Sequence, residues 1–452
     1  MTGRIVAVVV ANLLMLGFGI GLLPLLRLAV TPGELVRRIP LAYAVGLAGT
    51  GIVAALLALL GLGVGRVTLP LLALASLALG LRRLERGTPP EPASRFSPLV
   101  LPAFAVLAVA VVYVASAARL SAVKPLLEND GWALWGLRAR ALYEFGHPTS
   151  PIFTDEPYPG LQYPLLLPAL EAIDARFMGA FDGTILHLQL LGFALALLGG
   201  AWTLLRSEAP SLLLAATLLA ILTAPAFFRQ LPTNSADVPL AVMIALGVSA
   251  LAAWIRSGRT GLLPAATLFL TAGAMTKNEG ELFALAAFAA AFAVTRGKQL
   301  RPLTISALTA VALVLPWHVW LLAHGVTTTT FGLSHLLRPS YLTSHWYRVE
   351  SAQQQLLDQI LLQSSWSHLP LLLLTGLALA LLLRRFTLAA FGAGWLLLSF
   401  AGLLCVYWAS PLPLENNLYN SADRTIDTLV IGGALLVPVL IGHPTRRSRD
   451  PA

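Results

Sequence analysis

Residues 237–255, DVPLAVMIALGVSALAAWI, form the stretch that decides the fold. The run holds one charged residue, the acid at its first position, and it is long enough to cross a bilayer as a helix. Because a backbone inside hydrocarbon must satisfy its own hydrogen bonds, such a run is expected to be helical there. The sequence therefore predicts a membrane-spanning helix that begins at Asp237.

The rest of the chain resembles this run. Of the 452 residues, 57% are hydrophobic and only 11% are charged, with a mean hydropathy of +0.78, a composition typical of integral membrane proteins and unlike that of soluble domains. We predict an all-α polytopic membrane protein with about thirteen transmembrane helices. The predicted spans are 5–30, 40–61, 66–83, 98–120, 183–205, 210–225, 237–255, 261–276, 279–295, 302–322, 366–383, 386–408 and 426–442.

The net charge of +9 does not indicate a nucleic-acid partner, since the basic residues occur in short clusters between apolar runs. Membrane lipids are the better-matched partner for such clusters. The single cysteine, Cys405, lies within an apolar run. Neither a disulfide framework nor a cysteine metal site is therefore expected.

The same basic clusters predict the topology. When alternate connections are assigned to one side, most Lys and Arg residues and few of the acids share one face, which the positive-inside rule makes cytoplasmic. An odd number of spans then places the N-terminus outside and the C-terminus, with a basic tail over 443–452, in the cytoplasm. The first run shows no cleavage site and is interpreted as a retained anchor.

Two long connections, 121–182 and 323–365, fall on the outer face, where we expect the function. Each contains a predicted interfacial helix, Gly131 to Phe145 and Ser351 to Gln363. A regular helix over the first segment places Trp132, Trp135, Leu142 and Phe145 near one side, with Arg138, Arg140 and Glu144 toward another.

Four polar clusters are predicted on that outer face: Glu128 and Asp130 with Asp155 and Glu156, then 233–239 with Asp237, then 276–281 with Lys277, and finally 416–427 with Arg424. Each also has a purely structural interpretation. Ser235, Asp237 and Pro239 make a favourable helix start, while Lys277 and Arg424 each have acidic neighbours in sequence. The histidines show no metal-ligand spacing and are interpreted as interfacial polar residues.

Together the clusters suggest chemistry on a lipid-linked phosphate held at the headgroup level. A Lys or Arg would neutralise a leaving phosphate, and a carboxylate would take the proton of an attacking hydroxyl. No cofactor is certain from the sequence, although Asp130, Asp155 and Glu156 could together hold a divalent metal.

Five motifs in this order resemble the C-type (GT-C) membrane glycosyltransferases, in particular the bacterial multi-pass proteins related to protein O-mannosyltransferases, aminoarabinose transferases and lipopolysaccharide-core galacturonosyltransferases. The motifs are Asp130-Gly131-Trp132 running into Arg138 to Tyr143, Gln162-Tyr163-Pro164, Ala236-Asp237-Val238-Pro239, Thr276-Lys277-Asn278-Glu279-Gly280, and Asn420-Ser421-Ala422-Asp423-Arg424. The resemblance covers about residues 98 to 442 and leaves 1–97 as N-terminal helices outside the usual core.

The resemblance implies an inverting transfer of a sugar from a polyprenyl-phosphate donor to a hydroxyl of a lipid-borne, glycan or protein acceptor, outside a bacterial inner membrane. It makes Asp130 the best match to the catalytic acid, with Asp155 and Glu156 as competitors and Asp237 as the second acidic position. Lys277 and Arg424 become candidates for the donor phosphate, and Trp132, Tyr163, Asn278 and Glu279 for substrate binding. The chain departs from the family in carrying three extra spans first and no large soluble domain last.

Two other functions remain open from the residues. A transporter or flippase for a lipid-linked or anionic solute would use the same cations, together with an interrupted helix at 276–281. A ligase or polymerase of surface glycans would use a pyrophosphate donor.

Overall fold

A computed structural model describes residues 2–85, 100–148, 151–155, 158, 160–326 and 333–442. These residues form helices and contain no strand, so the all-α prediction is confirmed for the described part of the chain. The basic tail predicted over 443–452 and the candidate acid Glu156 lie outside the described residues.

Twenty-two α-helices are present in the described ranges. In chain order they are α1 (Thr2–Leu25), α2 (Pro32–Arg37), α3 (Ile39–Leu59), α4 (Thr68–Leu81), α5 (Val100–Ser121), α6 (Leu137–Phe145), α7 (Pro151–Thr154), α8 (Leu166–Met178), α9 (Gly183–Leu205), α10 (Ser211–Leu222), α11 (Pro225–Gln230), α12 (Asp237–Ser257), α13 (Leu262–Ala274), α14 (Asn278–Val294), α15 (Leu300–Ala323), α16 (Pro339–Ser344), α17 (Tyr347–Leu361), α18 (Gln363–Trp366), α19 (Leu369–Leu382), α20 (Phe386–Ala409), α21 (Leu414–Thr425) and α22 (Asp427–Ile441). A π-helix covers Asp130–Gly136, and 3₁₀ turns cover Leu231–Thr233, Gly297–Gln299 and Leu333–Leu337.

The predicted count of thirteen spans is not confirmed. A helix lies on each predicted span, but eight helical segments of the described chain are long and apolar enough to cross a membrane, or nine if the pair Ser211–Leu222 and Pro225–Thr233, bent by 53°, is one span. The apolar helices α4, α13 and α19 have only 13 or 14 residues, which is shorter than the roughly 20 residues needed to cross hydrocarbon.

Helix α12, which covers the apolar run 237–255, is the centre of the fold. Of its most apolar window, 94% is buried inside the protein, against 22% for α5. It packs against α9, α13, α14, α20 and α22. A helix that is apolar all round and enclosed by other helices is a core element. Helix α12 therefore fixes the positions of the polar residues in its first and last turns, Asp237 and Arg256.

The end of α12 opposite Asp237 is held by a buried ion pair. Arg256 in its last turn donates to the Glu208 carboxylate and, at 2.7 Å, to the Glu208 carbonyl oxygen. It also donates to the carbonyls of Val439 at 2.8 Å and Gly442 at 3.0 Å. These carbonyls belong to the free C-terminal end of α22, where the helix offers unpaired acceptors. Arg256 therefore ties α12 to α22 at what we call the basic end.

The N-terminal helices are packed onto the rest of the described chain. Helices α1 and α3 contact each other closely and also pack on α8 and α9. Asn12 of α1 accepts a hydrogen bond of 2.7 Å from the Tyr43 hydroxyl of α3 and donates to Gln189 of α9 at 3.3 Å. Helices α1 and α3 thus share a continuous interior with α8 and α9.

The predicted interfacial helix over Gly131 to Phe145 differs from a regular helix. Its first half is π-helical and its second half is α6, so the side-chain directions drift from the regular 3.6-residue period. Trp135 is buried and Trp132 is exposed, whereas Arg138, predicted on the polar side, is buried over the Phe153 ring with 5.0 Å to its centroid. The prediction of the two sides was therefore wrong because it assumed one uniform period.

Candidate functional site

A charged cluster lies where α12 and α14 begin. Asp237 opens α12, and the Lys277 Nζ atom lies 2.8 Å from its carboxylate and 3.2 Å from that of Glu279 in the first turn of α14. All three side chains are below 10% exposed. Buried charges are tolerated when they are paired with opposite charges, and Lys277 is shared by both carboxylates, although the Glu279 Oε2 atom has no hydrogen-bond partner among the described residues.

A second ion pair joins the first. Arg424 of α21 donates to the Asp130 carboxylate and lies 3.6 Å from the Asp237 carboxylate. The cluster of Asp130, Asp237, Lys277, Glu279 and Arg424 is called the charge cluster below. Its members come from four sequence-distant segments, so the structure brings together five of the predicted site residues.

Local sequence explains how Asp130 reaches this position. The next residue is Gly131, where a Cβ atom would overlap the Thr233 carbonyl oxygen, so only glycine allows the π-helix to lie against the segment before α12. Asn234 donates to the Gly131 carbonyl at 3.3 Å and adopts a left-handed conformation with φ of 52°, which asparagine tolerates better than most residues. The contact places Asp130 above the start of α12.

The connection between α13 and α14 positions Lys277. Three residues, Met275 to Lys277, separate the two helices, and the Gly280 amide bonds the Lys277 carbonyl at 2.8 Å. A Cβ atom on Gly280 would overlap the Gly273 carbonyl oxygen, so glycine permits this close approach. The predicted short connection is thus a tight turn between two helices.

Arg424 is positioned by α21, all of which lies between the predicted spans 386–408 and 426–442. The segment is helical, and the Tyr407 hydroxyl lies 2.9 Å from Ser421 Oγ and 3.2 Å from Thr425 Oγ1. Arg424 also donates to the Asn420 carbonyl at 2.8 Å. These bonds orient the guanidinium toward Asp130 and Asp237.

The residues of the charge cluster differ in their exposure to solvent. The Asp130 and Arg424 side chains are 37% and 25% exposed, whereas Asp237 is only 3% exposed. Burial acts to lower the pKa of Lys277, but the carboxylates of Asp237 and Glu279 outweigh it and raise that pKa. The buried part of the cluster therefore holds fixed charges, and Asp130 with Arg424 forms its reachable part.

Three predicted substrate-binding residues lie beside the charge cluster, Tyr163 by contact and Trp132 and Asn278 by sequence. The Tyr163 ring centroid lies 6.0 Å from Lys277 Nζ and 5.3 Å from the Trp135 ring. Burial raises the pKa of Tyr163, and the carboxylate of Glu279 raises it further, so its hydroxyl stays protonated and can donate. Trp132 is 54% exposed two residues after Asp130, and Asn278 is half-buried between Lys277 and Glu279.

The remaining predicted acids are placed differently. Asp155 is exposed and accepts a bond of 2.7 Å from Thr154, and no hydrogen bond or ion pair within the described residues joins it to the charge cluster. Glu128 pairs with Lys124. Across the described ranges, no group of three or more His, Cys, Asp or Glu residues could hold a metal ion. A site shared by Asp130, Asp155 and Glu156 stays a prediction because Glu156 is outside those ranges.

One pair near the cluster was missed from the sequence. His318 Nε2 of α15 lies 2.9 Å from the Glu281 carboxylate, which is two residues after Glu279, and both side chains are partly exposed. The two residues are 37 positions apart, so spacing gave no signal. One indication of their proximity was present in the sequence. Glu281 lies near the start of the predicted span 279–295, and His318 lies near the end of the next predicted span, 302–322, on the same predicted face.

We compared the chain with protein-family models, with curated proteins and with solved structures, and none of the three comparisons found a match. The resemblance to the C-type glycosyltransferases therefore depends on the sequence motifs alone.

Proposed function

We propose that the protein is a membrane glycosyltransferase that moves a sugar from a polyprenyl-phosphate donor to an acceptor hydroxyl. The observation that supports this function best is the meeting of Asp130, Asp237, Lys277 and Arg424 at one end of the apolar helices. A headgroup phosphate can reach such a position while its lipid tail stays among the helices. We place this end outside the membrane, following the distribution of Lys and Arg.

Asp130 and Arg424, the more exposed residues of the charge cluster, supply the base and the phosphate-binding group that the reaction needs. Arg424 can exchange Asp130 for a phosphate oxygen, because guanidinium groups bind phosphate with charge-assisted hydrogen bonds. Asp130 then loses its partner and becomes free to accept a proton. We infer that donor binding and activation of the base are coupled through this exchange.

The proposed step balances in atoms and charge. The acceptor oxygen forms a bond to the anomeric carbon, the bond from that carbon to the phosphate oxygen breaks, and the acceptor proton passes to Asp130. Polyprenyl phosphate leaves as a stable anion beside Arg424. Because the proton neutralises Asp130 while negative charge develops on the phosphate, the cluster gains no net charge as the reaction proceeds.

Lys277 fits a supporting role in this proposal. It is 9% exposed and lies between two carboxylates, so a phosphate would first have to displace Asp237 or Glu279. We propose that Lys277 holds Asp237 in place and that Asp237 in turn attracts the Arg424 guanidinium. Direct binding of the donor phosphate by Lys277 stays a prediction that donor-binding measurements on a Lys277→Ala variant would test.

The deciding experiment offers the purified full-length protein defined donors. Sugars on polyprenyl phosphate and on polyprenyl pyrophosphate are incubated in separate reactions with a mixture of hydroxyl acceptors, with and without a chelator, and consumption of each donor is followed by mass spectrometry. Consumption of the monophosphate donor supports the proposal. Consumption of the pyrophosphate donor alone supports a glycan ligase or polymerase, and loss of activity with the chelator indicates a divalent metal.

A transporter or flippase is the second candidate, and a different observation favours it. Glu171 and Asp174 of α8 are fully buried, and Asn12, Tyr43 and Gln189 form polar contacts among three helices of membrane-spanning length. Polar groups inside membrane-spanning helices, such as Asn12, Tyr43 and Gln189, are common along transport pathways. Reconstituted protein that moves a fluorescent lipid-linked sugar between leaflets without consuming it would favour this candidate.

A further inference from the structure

A cavity of about 490 Å³ lies at the basic end, away from the charge cluster. Three guanidinium-bearing residues, Arg27, Arg38 and Arg259, line it together with a single carboxylate residue, Glu34. We propose that this cavity, called the arginine cavity below, binds a phosphate group. The proposal concerns a second site, and it does not depend on the function proposed for the charge cluster.

The walls of the arginine cavity come from the ends of several helices. Arg27 follows α1, Arg38 lies between α2 and α3, and Arg259 follows α12. Thr203 and Leu204 close it from the last turn of α9, and Gly261 and Leu262 from the start of α13. The cavity therefore opens where the apolar helices end, at a depth that lipid headgroups or soluble anions can both reach.

The charges in the cavity are not balanced. Glu34 is already engaged, since its carboxylate accepts a hydrogen bond of 2.9 Å from the Val30 amide. Among the described residues, neither Arg27 nor Arg38 forms an ion pair within 4.0 Å. Arg259 shares the Glu208 carboxylate, at 3.3 Å, with Arg256. The cavity thus carries an excess of positive charge.

The surroundings of Arg38 give the clearest indication that the arginine cavity binds an anion. It is partly buried, and burial lowers its pKa; Glu34 raises that pKa, whereas Arg259, Arg206 and Arg37 lower it further. A guanidinium held near other guanidiniums without a carboxylate in contact is stabilised by a bound anion. Arg256 provides the contrast, because Glu208 and backbone carbonyls use its donors.

Phosphate fits this arrangement in charge and in shape. The planar guanidinium presents paired N–H donors that match two oxygens of a phosphate group. The cavity volume falls in the range of roughly 300–1,000 Å³ that is typical of small-molecule sites, so a phosphate with a small attached group can enter. The source is either the headgroup of an anionic phospholipid or a soluble phosphate compound.

The experiment uses the full-length protein in a neutral detergent at fixed ionic strength. Binding of inorganic phosphate, pyrophosphate, short-chain phosphatidylglycerol and short-chain phosphatidylcholine is measured by ligand-dependent thermal shift and by native mass spectrometry. The variants are Arg38→Gln and Arg27→Gln. The matched control is Arg37→Gln, since Arg37 is adjacent in sequence, donates to the Gly33 carbonyl at 3.1 Å and does not line the cavity.

We expect an anionic probe to bind with a Kd that rises about tenfold or more in Arg38→Gln, the loss typical of one charge-assisted hydrogen bond, and stays unchanged in Arg37→Gln. Binding of phosphatidylglycerol alone identifies a lipid headgroup, and binding of phosphate or pyrophosphate identifies a soluble ligand. The proposal is overturned if no anionic probe binds, or if Arg37→Gln weakens binding as much. If Arg38→Gln fails to fold, Arg27→Gln applies the same criterion.

Discussion

Two arginines at opposite ends of the α12 region have different surroundings. Arg256 uses its donors on Glu208 and on the carbonyls that end α22. Arg424 pairs with Asp130 and stays 25% exposed. A guanidinium whose donors are all used by buried acceptors can hold helices together but has nothing left for a ligand. A guanidinium that is paired with an exposed carboxylate can exchange that carboxylate for a ligand. The partners of the two arginines therefore distinguish a structural ion pair, that of Arg256, from a reactive one, that of Arg424.

The largest effect is expected from Asp130→Asn, which keeps the shape of the side chain and removes its basicity. If Asp130 is the general base, the rate of sugar transfer should fall by roughly 10²- to 10⁴-fold. The free energy of unfolding should change by about 1 kcal/mol or less, since partly exposed ion pairs contribute little. Transfer is measured with the monophosphate donor, and unfolding by thermal denaturation in detergent.

Glu128→Gln is the control for this variant, because Glu128 precedes Asp130 and pairs with Lys124 outside the charge cluster. Its transfer rate should stay close to that of the unmodified protein. A folded Asp130→Asn protein that transfers sugar at a normal rate would remove Asp130 from the role of base.

Asp237→Asn tests the buried part of the charge cluster. The substitution leaves Lys277 with only one carboxylate partner in a site below 10% exposed. Because Glu279 stays beside Lys277, the expected cost is that of lost charge-assisted hydrogen bonds, about 1.5–3 kcal/mol of stability, and the midpoint of thermal unfolding should fall. Asp423→Asn, at an exposed position of α21, should change stability by no more than about 0.5 kcal/mol.

Arg256→Gln tests the structural pair at the basic end. We expect a loss of about 2–3 kcal/mol in the free energy of unfolding, because hydrogen bonds to charged groups are lost while Arg259 still contacts Glu208. The rate of transfer per folded molecule should not change. If that rate fell as it does in Asp130→Asn, the distinction between the two ends would be wrong.

Gly131→Ala tests the packing that positions Asp130. The added methyl group overlaps the Thr233 carbonyl oxygen, and overpacking of this kind costs about 1–3 kcal/mol. Relieving this overlap displaces Asp130 relative to Arg424. The rate of sugar transfer per folded molecule should therefore fall, in addition to the loss of stability. Gly17→Ala is the control, since the nearest atom to its new Cβ would be 3.8 Å away on Ala73; equal losses in both variants would contradict this explanation.

Much of the helical architecture could be predicted from hydropathy, and the start of α12 at Asp237 matches the predicted span. The number of spans could not be predicted in the same way, because an apolar run does not reveal whether its helix is short, as in α19, or bent, as between α10 and α11. The bend falls where α11 begins at Pro225, and both such a bend and the length of a helix depend on local backbone geometry that hydropathy does not measure.

The candidate site shows a similar division. The sequence indicated which polar residues would share one end of the helices, but it also allowed Arg424 to be neutralised by Asp423 and Asp427, the acids that flank it. Adjacent residues on a helix do not face each other, and Arg424 instead reaches Asp130, 294 positions away. The pairing of Glu281 with His318 was missed for the same reason, since it depends on which helices lie side by side.

The π-helix over Asp130–Gly136 makes the length of this segment as important as its composition. A π-helical turn takes up about one residue more than an α-helical turn. If the same residues wound as a regular α-helix, at about 100° per residue, Asp130 would point in a different direction relative to α6. The winding of this segment, and not its charged residues alone, therefore determines whether the Asp130 carboxylate reaches Arg424.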